Sequence, residues 1–177
     1  MLEHPLQAGG ALVAGGAVIA IALWTDLRHR RIPNLLTVPA AICALCFHTA
    51  VGGITDGTLF SLKGLLIGIA LLLIPFLLGG MGGGDVKLFG GLGAWLGVRS
   101  VIIVSLLAAV AGGIIALVML IRHGGFARLR GVWRDIVALI ITRERVEPDT
   151  RSRRLPFSVP TAMGYILFLT GRFAGWF

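Results

Sequence analysis

Two carboxylates stand where an apolar chain has least use for them. Asp26 follows the apolar run 11–24. Asp85 follows the apolar run 65–78, inside Gly79-Gly80-Met81-Gly82-Gly83-Gly84-Asp85-Val86-Lys87. An ionisable group at bilayer depth is costly, so an acid there points to function. Two carboxylates a few ångströms apart cannot both ionise easily and can share one proton. The ionised member then takes a proton from water, and the protonated member donates to a carbonyl oxygen. Such a pair hydrolyses a peptide bond without metal, cofactor or covalent intermediate. It titrates as a unit, so neither Asp26 nor Asp85 is assigned as acid or base alone.

The glycines beside Asp85 have a use in that chemistry. Gly82, Gly83 and Gly84 let backbone approach an extended substrate and permit positive φ. Unwound backbone at membrane depth is allowed where it lines a cavity or is buried in protein. A helix beginning after Asp85 would aim free N–H groups at a developing oxyanion. The plainer alternative is that 79–84 is an ordinary loop and that both acids cap helices or pair with arginine.

The elements that must carry these residues are membrane helices. The chain has 177 residues, is 56% hydrophobic and has a mean hydropathy of +0.93. Its apolar residues lie in long unbroken runs, which a soluble core does not need. The expected fold is all-α: one polytopic membrane domain over 1–177. Six spans are expected, at 7–25, 35–52, 62–78, 86–97, 101–121 and 159–176. The first has no Ala-x-Ala cleavage site after it and reads as a span, not a signal peptide. The fourth is short: about a dozen residues at about 1.5 Å rise cover about 18 Å of a core about 30 Å thick. Either the bilayer thins there or Asp85 starts inside it.

Charge sets the orientation. The net charge of +8 would suggest nucleic acid in a soluble protein. Here it reads as cytoplasmic loops against anionic lipid headgroups, and no nucleic-acid partner is expected. With the N-terminus outside, the first, third and fifth connections hold Arg28, Arg30, Arg31, Lys87, Arg122 and the arginines from 128 to 154. Only Lys63, Arg99 and Arg172 then lie near the outer side. Both Asp26 and Asp85 fall at cytoplasmic helix ends. Within the cytoplasmic segment 122–155, Phe126, Leu129, Trp133, Ile136 and Ile140 recur at helical spacing. They predict an interfacial amphipathic helix over 126–142, followed by a polar loop at 146–154. Lys87 lies two residues beyond Asp85 and so off its helical face; it would meet headgroups or an acidic substrate residue. Cys43 and Cys46 form a lone C-x-x-C in an apolar helix, read as two small buried hydrophobes. His4, His29, His48 and His123 show no ligand spacing and read as structural or surface residues, so no metal site is expected.

At these residues the chain resembles a known family. Thr25-Asp26-Leu-Arg-His-Arg-Arg-Ile32-Pro33-Asn34, continuing to Thr37 and Pro39, resembles the first active-site motif of the prepilin peptidases. Gly82-Gly83-Gly84-Asp85-Val86-Lys87-Leu88, continuing to Gly93-Ala94-Trp95-Leu96-Gly97, resembles their second, the G-x-G-D motif. Leu155-Pro156-Phe157 is similar to their C-terminal motif. The resemblance implies an intramembrane aspartic endopeptidase of the cytoplasmic (inner) membrane. It implies prepilin or pseudopilin substrates, cut after the basic leader at the cytoplasmic face, and pilus-assembly machinery as a further partner. Asp26 and Asp85 carry over as the catalytic pair. Gly82, Gly83, Gly84, Lys87, Pro33 and Asn34 carry over as residues that bind substrate or shape the site. The chain lacks the cysteine-rich cytoplasmic loop of the larger members. That layout is similar to the short peptidases of tight-adherence (Tad/Flp) pilus systems and implies no methyltransferase activity.

Two other classes stay open at this point. One is a proton-coupled transporter with the aspartates as its relay, which inverted repeats would favour; none is evident. The other is a non-catalytic component of pilus assembly.

Overall fold

The apolar runs fold as helices, the element that satisfies its own backbone groups in lipid. The computed structural model describes residues 5–78, 81–122 and 157–176. In chain order they form α1 (Pro5–His29), α2 (Asn34–Gly52), a π-helical turn (Gly53–Gly57), α3 (Thr58–Leu77), α4 (Gly83–Arg122) and α5 (Ser158–Phe173). No strand occurs among the described residues. The expected interfacial helix at 126–142 and the loop at 146–154 lie outside them.

Three described stretches are long and apolar enough to cross a membrane: Gly9–His29, Asn34–Leu77 and Gly83–Met119. The chain is an integral membrane protein. The second stretch has 44 residues. Straight, at about 1.5 Å per residue, it would reach about 66 Å, twice a hydrocarbon core of about 30 Å. It is not straight. At Gly53 the backbone takes φ 84, and α3 packs back on α2. Thr49 Oγ1 and Thr58 Oγ1 then lie 2.8 Å apart, and a Cβ on Gly57 would sit 1.8 Å from the His48 carbonyl oxygen.

The other boundaries follow equally local causes. α1 ends where Arg30 takes the left-handed φ of 53 and its N–H bonds the Asp26 carbonyl at 2.7 Å. Pro33, extended at φ −71 and ψ 142, then starts α2. α4 begins at Gly83, three residues before the expected span at 86. It runs on through the positions expected for the fifth span, broken at Gly97 (φ 78, ψ 174).

The chain divides into two compact units, Met1–Ala111 with Pro156–Phe177, and Gly112–Leu155. The packing and the site described here belong to the first. Its core holds Leu88, Phe89, Leu92, Val104 and Phe168. Against lipid such burial brings no hydrophobic gain between helices, so close packing and interhelical hydrogen bonds must hold them. A Cβ on Gly64 would lie 2.0 Å from the Gly93 carbonyl oxygen, and one on Gly68 would lie 2.1 Å from that of Phe89. The backbones of α3 and α4 therefore touch. The break at Gly97 interrupts the helical ladder of α4, and side chains bond the carbonyls just before it. His48 Nε2 donates to Trp95 at 3.0 Å, and Ser61 Oγ donates to Ala94 at 3.1 Å. His48 is thus the structural residue expected. On the other side, Gly15 and Gly16 of α1 leave room for Tyr165 of α5, whose hydroxyl donates to the Leu12 carbonyl.

One expectation fails here. Cys43 and Cys46 are free but exposed, not buried. The inward face of α2 is taken by Thr37, Ala40, Ala44 and His48, at helical spacing, and the cysteines fall on the opposite side.

Candidate functional site

Asp26 lies in the last turn of α1 and is 7% exposed. Its companions from the same helix end, Arg28 and His29, point outward, with Arg30 and Arg31 exposed just beyond. The Arg28 guanidinium lies 5.7 Å from the centre of the Trp24 ring, a cation–π contact at the helix end. Arg28, His29, Arg30 and Arg31 are thus exposed beside the buried Asp26.

Asp85 lies in the first turn of α4 and is half-buried. Its own N–H donates to the Gly82 carbonyl at 3.1 Å, and the Gly82 N–H donates to Asp85 Oδ2 at 3.3 Å. That reciprocal pair turns the chain into the helix. Asp26 and Asp85 are 59 positions apart in the sequence, yet they are close enough for their charges to interact.

Two contacts join the segments that carry them. Lys87 Nζ donates to Asn34 Oδ1 at 2.9 Å. A Cβ on Gly84 would lie 3.1 Å from Ile32 Cβ and 3.4 Å from the Ile32 carbonyl oxygen. The loop after α1 therefore rests directly on the first turn of α4. Pro33 places both partners: it is the N-cap of α2, between Ile32 and Asn34, and its carbonyl accepts the N–H of Leu36 at 3.0 Å. A third segment reaches the site from the far end of the chain. Ser158, the first residue of α5, donates its hydroxyl to Asp26 Oδ2 at 2.6 Å.

The glycines act differently from the expectation. Gly83 and Gly84 are helical, and neither has positive φ. Their value is close approach: Gly84 against Ile32, and Gly83 where an added Cβ would lie 3.5 Å from the Phe76 ring. Only Gly82 precedes the helix, where it serves Asp85. Lys87 is exposed, as expected of a residue at a helix end, and its ammonium donates to Asn34 Oδ1. All eight residues singled out in the sequence thus gather at one end of the first unit. Sequence reasoning missed Ile32 as a packing partner and Ser158 altogether. The signal for Ser158 was its place directly after Leu155-Pro156-Phe157.

The family model described as the type IV leader peptidase family matches residues 13–117, more than half of the chain. The chain belongs to the type IV leader peptidase family. Both aspartates, Asn34 and the Gly82–Lys87 segment fall inside the matched residues; Ser158 falls outside them. Membership carries a peptidase role of the leader-peptidase kind. No curated protein and no solved structure matches the chain.

Proposed function

We propose that this chain is an intramembrane aspartic endopeptidase that removes the basic leader from prepilins or pseudopilins, with Asp26 and Asp85 as its catalytic pair. The observation that carries the reading is that the two helix ends bearing Asp26 and Asp85 adjoin, near enough for the two charges to interact. They are joined there by the Lys87–Asn34 bond and the Gly84–Ile32 contact. The pair shares a proton. One carboxylate draws a proton from the attacking water while the other protonates the scissile carbonyl oxygen, and the roles reverse as the amine leaves. A tetrahedral oxyanion so protonated needs no metal. The exposed backbone at Gly82 gives an extended substrate an edge to lie along. Gly83, Gly84, Pro33, Asn34 and Lys87 hold that edge in register with the carboxylates.

The same reading sets the topology. α1, α2, α3, the two parts of α4 on either side of Gly97, and α5 make six crossings. The N-terminus is outside, and the site opens at the cytoplasmic face of the inner membrane. On the resemblance to the Tad/Flp kind of peptidase, pilus-assembly machinery would take the cleaved product.

The test is cleavage. Purified protein in detergent is incubated with a prepilin, and leader release is followed by mass. Release that needs both aspartates supports the proposal. Intact prepilin, with proton flux appearing in proteoliposomes, would instead favour the relay of a transporter.

A further inference from the structure

We infer that Ser158 is a positioning residue of the peptidase site, holding the Asp26 carboxylate in the orientation that the reaction needs. The inference rests on the catalytic reading given above. It goes beyond that reading because Ser158 lies outside residues 13–117, which carry the family match.

The geometry is specific. Ser158 is 1% exposed and Asp26 is 7% exposed, and 132 positions of sequence separate them. Their 2.6 Å contact is in the short range of an O–H donor on an ionised carboxylate. Asp85 has a longer bond, 3.3 Å, from the backbone of Gly82. The two acids are therefore held unequally. Asp26 Oδ2 is engaged by a buried hydroxyl. That fixes the plane of the carboxylate through Oδ2 and leaves Oδ1 as the oxygen available to the reaction.

The hydroxyl is itself held firmly. Ser158 opens α5, and the next turn is closed by the Thr161 N–H and hydroxyl on the Phe157 carbonyl, at 3.2 and 2.9 Å. The Phe157 ring packs 6.3 Å from that of Phe89 in α4, between centres. One turn of α5 thus touches α4 through Phe157 and α1 through Ser158. It places the donor relative to both helices that carry the aspartates. A serine used only for helix capping would bond backbone N–H groups. Ser158 bonds a side chain of another helix.

The test uses the full chain in detergent and a fluorogenic synthetic peptide with a basic leader, a glycine at the scissile position and an apolar stalk segment. Ser158→Ala removes the donor and keeps the helix. We expect kcat to fall about tenfold or more, with KM within about twofold and an unfolding temperature lowered but still showing a folded protein at the assay temperature. Ser158→Thr keeps the hydroxyl and is expected to recover most of the rate. Should Ser158→Ala not fold, Ser158→Cys, which keeps the volume but gives up the strong donor, is read in the same way. Wild-type kcat in the variant without a donor overturns the inference. So does a loss confined to KM, or a loss that Ser158→Thr does not relieve while folding normally. If the wild type cleaves and Asp26→Asn does not, such a result counts against Ser158 alone. If the wild type releases no leader, the catalytic reading itself has failed.

Discussion

Gly64→Ala should loosen the bundle and disable the site from a distance. The added methyl would lie 2.0 Å from the Gly93 carbonyl oxygen, against 3.4 Å for ordinary contact. The obstacle is backbone on a neighbouring helix, which cannot rotate aside as a side chain would. α3 and α4 must part by about 1.4 Å, the difference between those two distances. Ser61 and Ala94, now 3.1 Å apart, then lose their hydrogen bond. Overpacking typically costs about 1–3 kcal/mol. The lost bond adds about 0.5–1.5 kcal/mol. Replacing a helical glycine by alanine returns about 1 kcal/mol. The net is a destabilisation of about 0.5–3.5 kcal/mol, read as a lower unfolding temperature in detergent. Asp85 lies about two turns from Gly93 on the same helix. A shift near 1 Å at a catalytic group costs about a hundredfold in rate, so peptide cleavage should fall by that order. Gly9→Ala is the control, because nothing lies within 4 Å of its added methyl. It should be neutral or slightly stabilising. If Gly64→Ala unfolded at or above the wild-type temperature, the close α3–α4 crossing would be wrong.

Three further outcomes follow from the site and its surroundings. Lys87→Met removes an exposed bond to Asn34 worth about 0.5–1.5 kcal/mol, so peptide turnover should drop by about two- to tenfold but persist; complete loss would mean that Lys87 takes part in the chemistry. The double variant Cys43→Ala, Cys46→Ala should cleave at the wild-type rate, since both thiols are free and face away from the core; inactivity in a correctly inserted variant would restore a redox or metal role. Chelators such as EDTA should leave leader release unchanged, and clear inhibition reversed by added metal would point to a metal-assisted reaction.

The sequence made the helices and both aspartates legible, because long apolar runs and acids at their ends are local signals. Proline and glycine marked breaks equally locally, at Pro33, Gly53 and Gly97. The start of α4 was misjudged because Gly82-Gly83-Gly84 has poor helix propensity. Packing against Ile32 and Phe76 overrides that propensity, and a side chain at Gly84 would crowd the contact. The exposure of Cys43 and Cys46 was hidden for a different reason. The inward face of α2 is made by Thr37, Ala40, Ala44 and His48 and is no more apolar than the face turned outward, so hydrophobic periodicity does not mark which side is buried. Lys87–Asn34 and Ser158–Asp26 join residues 53 and 132 positions apart. Contacts of that kind depend on how helices pack, which no local pattern encodes.

Leader cleavage by Asp26→Asn, by Asp85→Asn and by the two combined tests the central claim most directly. Each change nearly preserves volume and removes one titratable group, so insertion and unfolding temperature should stay close to wild type. If the two acids work as one unit, each single variant already falls to background and the combination falls no further. Near-normal cleavage by either folded single variant would contradict the account, as would partial losses that multiply in the double variant.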